Sequence, residues 1–161
     1  MIVERIFQYR TLVGKCDLGI GLSWEEIELL GQIEGQFAPS ADDLRMRTGR
    51  RFRRESVALR GLMRGDRIHD QVEVIELGPG GLVCRAAPYV ARGEQIELAI
   101  ETRDESYRFS ARGVWMRDDD DDYRLGFMFV GMPVQLRRVA VSAHEADLVD
   151  RISESKIPNA A

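Results

Sequence analysis

From residue 56 onward the sequence alternates apolar and polar positions in short runs, and no other feature narrows the choice of fold as much. Val57, Leu59 and Gly61 form the first run. Val72 and Val74 form the second, and Leu82 and Cys84 the third, across a Gly78-Pro79-Gly80-Gly81 turn. Further runs cover 95–102, 107–117 and 123–129, each bounded by Gly, Asp or Pro. A period of two turns one face of each strand to a core and the other to solvent. Several short strands at this spacing predict an antiparallel barrel of about six strands, closed or nearly so. Asp118 to Asp122 fall between two runs and read as a solvated hairpin tip, because the alternating ligands and closing glutamate of a calcium loop are missing.

Ahead of the barrel the period changes to that of a helix. Ile2, Ile6, Tyr9 and Val13 are spaced by three and four, and Gly14, Gly19 and Gly21 are expected to end that segment. A second helix is predicted to start at Ser23, where Ser23-Trp24-Glu25-Glu26 has the form of a capping box, with Ile27, Leu30, Ile33 and Phe37 as its apolar face. Two helices this short do not stand alone in water. With Phe7, Tyr9, Trp24 and Phe37 to bury, the hairpin either packs on the barrel or forms a homodimer. The predicted organisation is a helical hairpin over 1–37, a linker over 38–49, the barrel over 50–132, and a C-terminal helical segment and frayed tail over 133–161. The fold class is mainly β with α additions.

Composition removes several functional classes. Charged residues make up 31% and hydrophobic ones 44%, the balance of a soluble globular chain. No apolar run reaches the roughly 18 residues of a membrane span, and Glu4 and Arg5 interrupt the N-terminus where a signal peptide is apolar, so the expected location is the cytoplasm without membrane insertion. Cys16 and Cys84 lack partners at metal-ligand spacing, and His69 and His144 form no pattern with them or with a serine nucleophile. Glu94, Glu97 and Glu101 read as the charged outer face of a strand rather than paired catalytic carboxylates. The chain is therefore read as a non-enzyme without cofactor or metal.

The most informative stretch is RMRTGRRFRR at 45–54, with six arginines and no acid in a chain whose net charge is −4. Guanidinium groups offer paired donors to phosphate and stack on flat rings. Nucleic acid is set aside because the strands lack an interleaved aromatic and basic face.

This cluster, followed about twenty residues later by the glycine-rich turn ELGPGGLVC, resembles the PilZ domain family. In that family an Arg-x-x-x-Arg motif before the barrel and an (Asp/Asn)-x-Ser-x-x-Gly motif on its surface together clamp cyclic di-GMP. The resemblance extends to Trp115 and to Tyr123-Arg124-Leu125-Gly126-Phe127-Met128-Phe129, which is similar to the family's Tyr-x-x-Gly-x-x-Phe strand. It implies that Arg50 and Arg54 fill the arginine places, with Arg51 between them. Arg47 and Arg51 also stand four apart, but with Arg50 the first strand begins at Val57, as in the family. In the second motif Glu76 takes the Asp/Asn position, Gly78 the serine position, and only Gly81 matches.

A lost neutral hydrogen bond costs about 0.5–1.5 kcal/mol and a charge-assisted one about 1.5–3 kcal/mol, so the two departures together predict roughly one to three decades of lost affinity. The resemblance thus implies an adaptor in bacterial cyclic di-GMP-linked signalling, in motility or surface behaviour, that works through a protein partner. The alternative it implies is a working cyclic di-GMP receptor that changes conformation on binding.

Overall fold

The computed structural model describes residues 1–45 and 50–137. Helix α1 spans Ile2–Asp17, α2 Trp24–Gln36 and the short α3 Ala41–Arg45. Strands follow as β1 Glu55–Arg64, β2 His69–Leu77, β3 Gly81–Ala87, β4 Gln95–Glu101, β5 Glu105–Asp119 and β6 Asp122–Arg137. The six strands pair in the order β1-β2-β3-β6-β5-β4, and β4 returns to β1, so the predicted barrel is closed and antiparallel throughout. Closure leaves the alternating faces one interior to fill. Met63, Val74, Leu98, Ile100, Phe109 and Phe127 occupy it, essentially without solvent contact. Phe109 and Phe129 lie 4.9 Å apart, centroid to centroid, a contact worth about 0.5–1.5 kcal/mol beyond the area it buries.

The acidic run forms the expected hairpin tip. Asp119 pairs with Asp122, and Asp120 takes a positive φ of 55°, which a short polar side chain tolerates. On β4, Ile96, Leu98, Ala99 and Ile100 are buried, Glu97 is half-buried and Gln95 and Glu101 are exposed, while Glu94, expected on the same face, precedes the strand and accepts a hydrogen bond from Ala91 N–H at 2.9 Å.

The helical hairpin packs on the barrel. α1 buries Val3, Ile6, Tyr9 and Leu12, stacks Phe7 5.4 Å from Tyr107, and sends Arg10 Nη2 to the Gly131 carbonyl at 3.2 Å. Gly14 does not end α1, which continues to Asp17: a Cβ at Gly14 would stand 2.8 Å from Met132 Cε, so glycine there lets β6 come close. The capping box of α2 is formed, with Glu26 N–H donating to Ser23 Oγ at 3.1 Å and Ser23 N–H to Glu26 Oε1 at 3.2 Å. Ile33 and Phe37 are buried and Leu30 half-buried, whereas Ile27, expected on the same face, is exposed.

Two further expectations are corrected. The stretch read as linker holds α3, and residues 133–137, read as the start of a C-terminal helix, continue β6. Proline is tolerated in this strand because the register breaks between the Arg108–Val134 and Ser110–Val130 pairs, where Gly131 adopts φ 65° and Pro133 interrupts no regular ladder. The remainder of the expected C-terminal helical segment lies outside the described residues. Among the described residues no helix is long and apolar enough to cross a membrane.

Candidate functional site

Three parts of the chain meet at one end of the barrel: the arginine segment entering β1, the β2–β3 turn, and the middle of the β5–β6 hairpin. They enclose an open cavity of about 500 Å³ whose wall includes Arg50, Arg51, Arg54, Gly81, Trp115 and Met128.

The arginine segment is held in place by its backbone. Arg53 N–H donates to the Phe37 carbonyl at 3.0 Å, and its guanidinium donates to the Gln36 carbonyl at 3.0 and 3.3 Å, which satisfies carbonyls that the end of α2 leaves open. Arg51 bonds Glu34 at 3.2 Å and lies 5.1 Å from the ring centroid of Phe52, which in turn packs edge-on to Tyr9. The exposed Arg51–Glu34 pair contributes at most about 1 kcal/mol to stability, so it is easily exchanged for another anion.

Arg54 differs from its neighbours in being drawn into the protein. Its Nη1 is buried without a hydrogen-bond partner and lies 3.8 Å from Glu76 Oε2, an ion-pair contact too long for a hydrogen bond. Burial, and then the nearby Arg50 charge, lower the guanidinium pKa, while Glu76 acts against them. An arginine stays charged even so, and a buried nitrogen without an acceptor costs free energy that an anionic oxygen would recover.

The turn explains both of its glycines by close approach. A Cβ on Gly78 would stand 2.9 Å from the Arg53 carbonyl oxygen and 3.1 Å from Arg54 Cγ, and one on Gly81 would stand 2.0 Å from the Phe127 carbonyl oxygen. The turn is tied down by Gly78 N–H to the Gly81 carbonyl and by Phe129 N–H to the Gly80 carbonyl, both at 3.0 Å.

Of the residues singled out from sequence, Arg50, Arg51, Arg54 and Gly81 border the cavity. Glu76 reaches Arg54 from the side, and Gly78 lies beneath the Arg53–Arg54 backbone; neither borders the cavity. Arg47, the alternative register, lies outside the described residues. The apolar wall was singled out only as a strand motif, through Trp115, Phe127 and Met128, and not as part of a site; Phe52 and Val114 complete it, and the ring of Trp115 lies flush against Gly126. The available signal was Val114 and Met128, apolar residues at outward positions on β5 and β6, both exposed. A smaller cavity of about 210 Å³, bordered by Tyr89, Arg92 and Met116, shares Trp115 and Phe127 with the first. Among the described residues no group of His, Cys, Asp and Glu is placed to hold a metal ion.

The family model described as PilZ domain matches residues 48–143. No curated protein matches the chain. Among solved structures the chain is similar to the "Structure of Bacillus subtilis Inhibitor of motility (MotI/DgrA)", at 12% identity and a TM-score of 0.45, over 70% of this chain and 53% of that one. The chain thus spans about half the length of that protein. With the family model covering more than half of the sequence and the matched region forming the closed six-stranded barrel, the chain belongs to the PilZ domain family.

Proposed function

We propose that this chain is a non-enzymatic adaptor in cyclic di-GMP-linked signalling, in motility or surface behaviour, that acts through protein contacts and holds the nucleotide weakly. The observation that carries this reading is the packing of Gly78 under the Arg53 carbonyl. At the position where the family motif has a serine, this chain has no hydroxyl and no room for a Cβ without moving the arginine segment. Glu76 adds to the effect, since its carboxylate stands beside Arg54 and competes with a phosphate for that guanidinium.

A second reading, a working cyclic di-GMP receptor, is favoured by one observation. Arg54 Nη1 is buried without a hydrogen-bond partner next to a cavity that Arg50 and Arg51 also border. A phosphate oxygen there would supply the missing acceptor. Isothermal titration of cyclic di-GMP into the full chain, with the Arg50→Ala, Arg54→Ala double variant as control, separates the two. The adaptor reading expects no saturable heat up to about 100 μM, a free energy near −5.5 kcal/mol. Micromolar or tighter binding that the double variant abolishes would replace it with the receptor reading.

A further inference from the structure

The arginine-bordered cavity offers donors and apolar surface but no side-chain acceptor. Its three arginines and Trp115 can only donate hydrogen bonds, every other bordering side chain is apolar, and the Glu76 carboxylate stands outside. The backbone of the turn adds little, since the Gly80 carbonyl already accepts from Phe129 N–H and the Gly81 carbonyl from Gly78 N–H. A guanine edge, which presents N–H donors, finds no side chain here to receive them. A carboxylate carried beside an apolar group matches both walls. Arg51 is paired with Glu34, so the open positive charge belongs to Arg50 and Arg54. Arg50 is exposed, has no ion-pair partner among the described residues, and sets a like charge near Arg54. Arg54 Nη1 is buried without an acceptor, and Glu76 at 3.8 Å is too far to supply one. Two neighbouring guanidinium groups without an acceptor mark the place of an anion.

The apolar surface does not stop at this cavity. Val114 borders it and Met116 borders the smaller cavity of about 210 Å³, each 42% exposed, and the two depressions share Trp115 and Phe127. Positions two apart on a strand are about 7 Å apart, the same step that separates alternate side chains of any extended chain. A compact ligand fills one depression, whereas an extended peptide reaches both. The residues gathered here, arginine with tryptophan, tyrosine, phenylalanine and methionine, are those enriched where proteins bind one another, and methionine adapts its shape to what it meets. On the basis of the adaptor reading, we infer that this surface docks an extended segment of a protein partner. An acidic side chain of that segment meets Arg50 and Arg54, and an apolar side chain close to it in sequence packs on Trp115.

The test is selection of a random phage-displayed peptide library on the full chain. The selected peptides are then synthesised and titrated by fluorescence anisotropy against wild type, the Arg50→Ala, Arg54→Ala double variant and Val114→Glu. The expected peptides share an Asp or Glu within about three residues of an aromatic or aliphatic one. Affinity falls about tenfold or more when that acid becomes its amide, or when the protein carries either alteration, as expected for the loss of a charge-assisted hydrogen bond. Val114 is exposed, so Val114→Glu keeps the fold while it sets an acid before the arginines; a melting curve alongside verifies this. No enrichment, selected peptides without a shared acid, or binding that survives both protein alterations overturns the inference. Cyclic di-GMP titrated alone keeps two failures apart. Micromolar nucleotide binding without peptide binding removes the adaptor reading as well, whereas binding of neither overturns only this docking surface and leaves the adaptor reading to another face.

Discussion

Placing the family's serine at position 78 should not tighten nucleotide binding, and the reason is steric. A Cβ there meets the Arg53 carbonyl oxygen at 2.9 Å and Arg54 Cγ at 3.1 Å, closer than these atoms pack without a shift. The side chain of Arg54 can yield, but the carbonyl cannot do so cheaply, because the same residue's N–H bonds the Phe37 carbonyl and its guanidinium the Gln36 carbonyl. Forcing an atom into such a site costs about 1–3 kcal/mol. At roughly 2–4 °C per kcal/mol for a chain of this size, the melting temperature falls by about 2–12 °C. Gly78→Ala separates sterics from chemistry, since it adds the Cβ without the hydroxyl and should melt close to Gly78→Ser. Differential scanning calorimetry and nucleotide titration on both variants provide the assay. A Gly78→Ser protein that melts like wild type and binds cyclic di-GMP tenfold more tightly would refute the steric argument.

Three further outcomes follow from individual side chains. Cys16 is exposed and Cys84 is buried with its thiol pushed up to about 12 by burial, so a disulfide-exchange reagent should titrate Cys16 in the native protein and Cys84 only after denaturant is added. Burial, and then the hydrogen bond to Glu105, push the Tyr107 phenol up to about 12 as well. Because both folded values exceed the ordinary 9.0 and 10.0, the stability these groups confer is complete below about pH 9 and is lost as the pH rises toward 12, which urea unfolding between pH 8 and 11 will detect; a flat profile contradicts it. Gly126→Ala places a Cβ 2.0 Å from Trp115 Nε1, so the indole must leave its seat. The expected result, in a Trp24→Phe background, is a red-shifted Trp115 emission and a loss of about 1–3 kcal/mol or more in unfolding free energy; unchanged emission would show that the ring is not held there.

Local patterns carried much of this molecule. The capping box at Ser23 and Glu26, the six alternating runs and the acidic hairpin tip each depend on residues within a few positions of one another, so they can be read directly. What escaped depended on long-range contact. Gly14 looks like a helix breaker until Met132 is seen lying against it, and Pro133 looks like the end of the strand until the irregularity at Gly131 is known. The same applies to the candidate site. Its arginines and Gly81 were legible as a motif, but the meaning of Gly78 rests on a carbonyl 25 residues away in the sequence, and the apolar wall comes from a hairpin that only closure of the barrel brings alongside.

The seating of α1 on β6 also orders events during synthesis. Arg10 bonds the Gly131 carbonyl across a separation of 121 residues, and Gly14 receives Met132. Helix α1 therefore leaves the ribosome well before β6, the last strand described, on which it docks. Until that strand emerges, Val3, Ile6 and Leu12 have no barrel to cover them, and at about 5–20 residues per second the interval lasts several seconds or more. The amino-terminal helix of the nascent chain is thus left waiting with a greasy side open, the period in which a chaperone or a neighbouring chain has its best access to it.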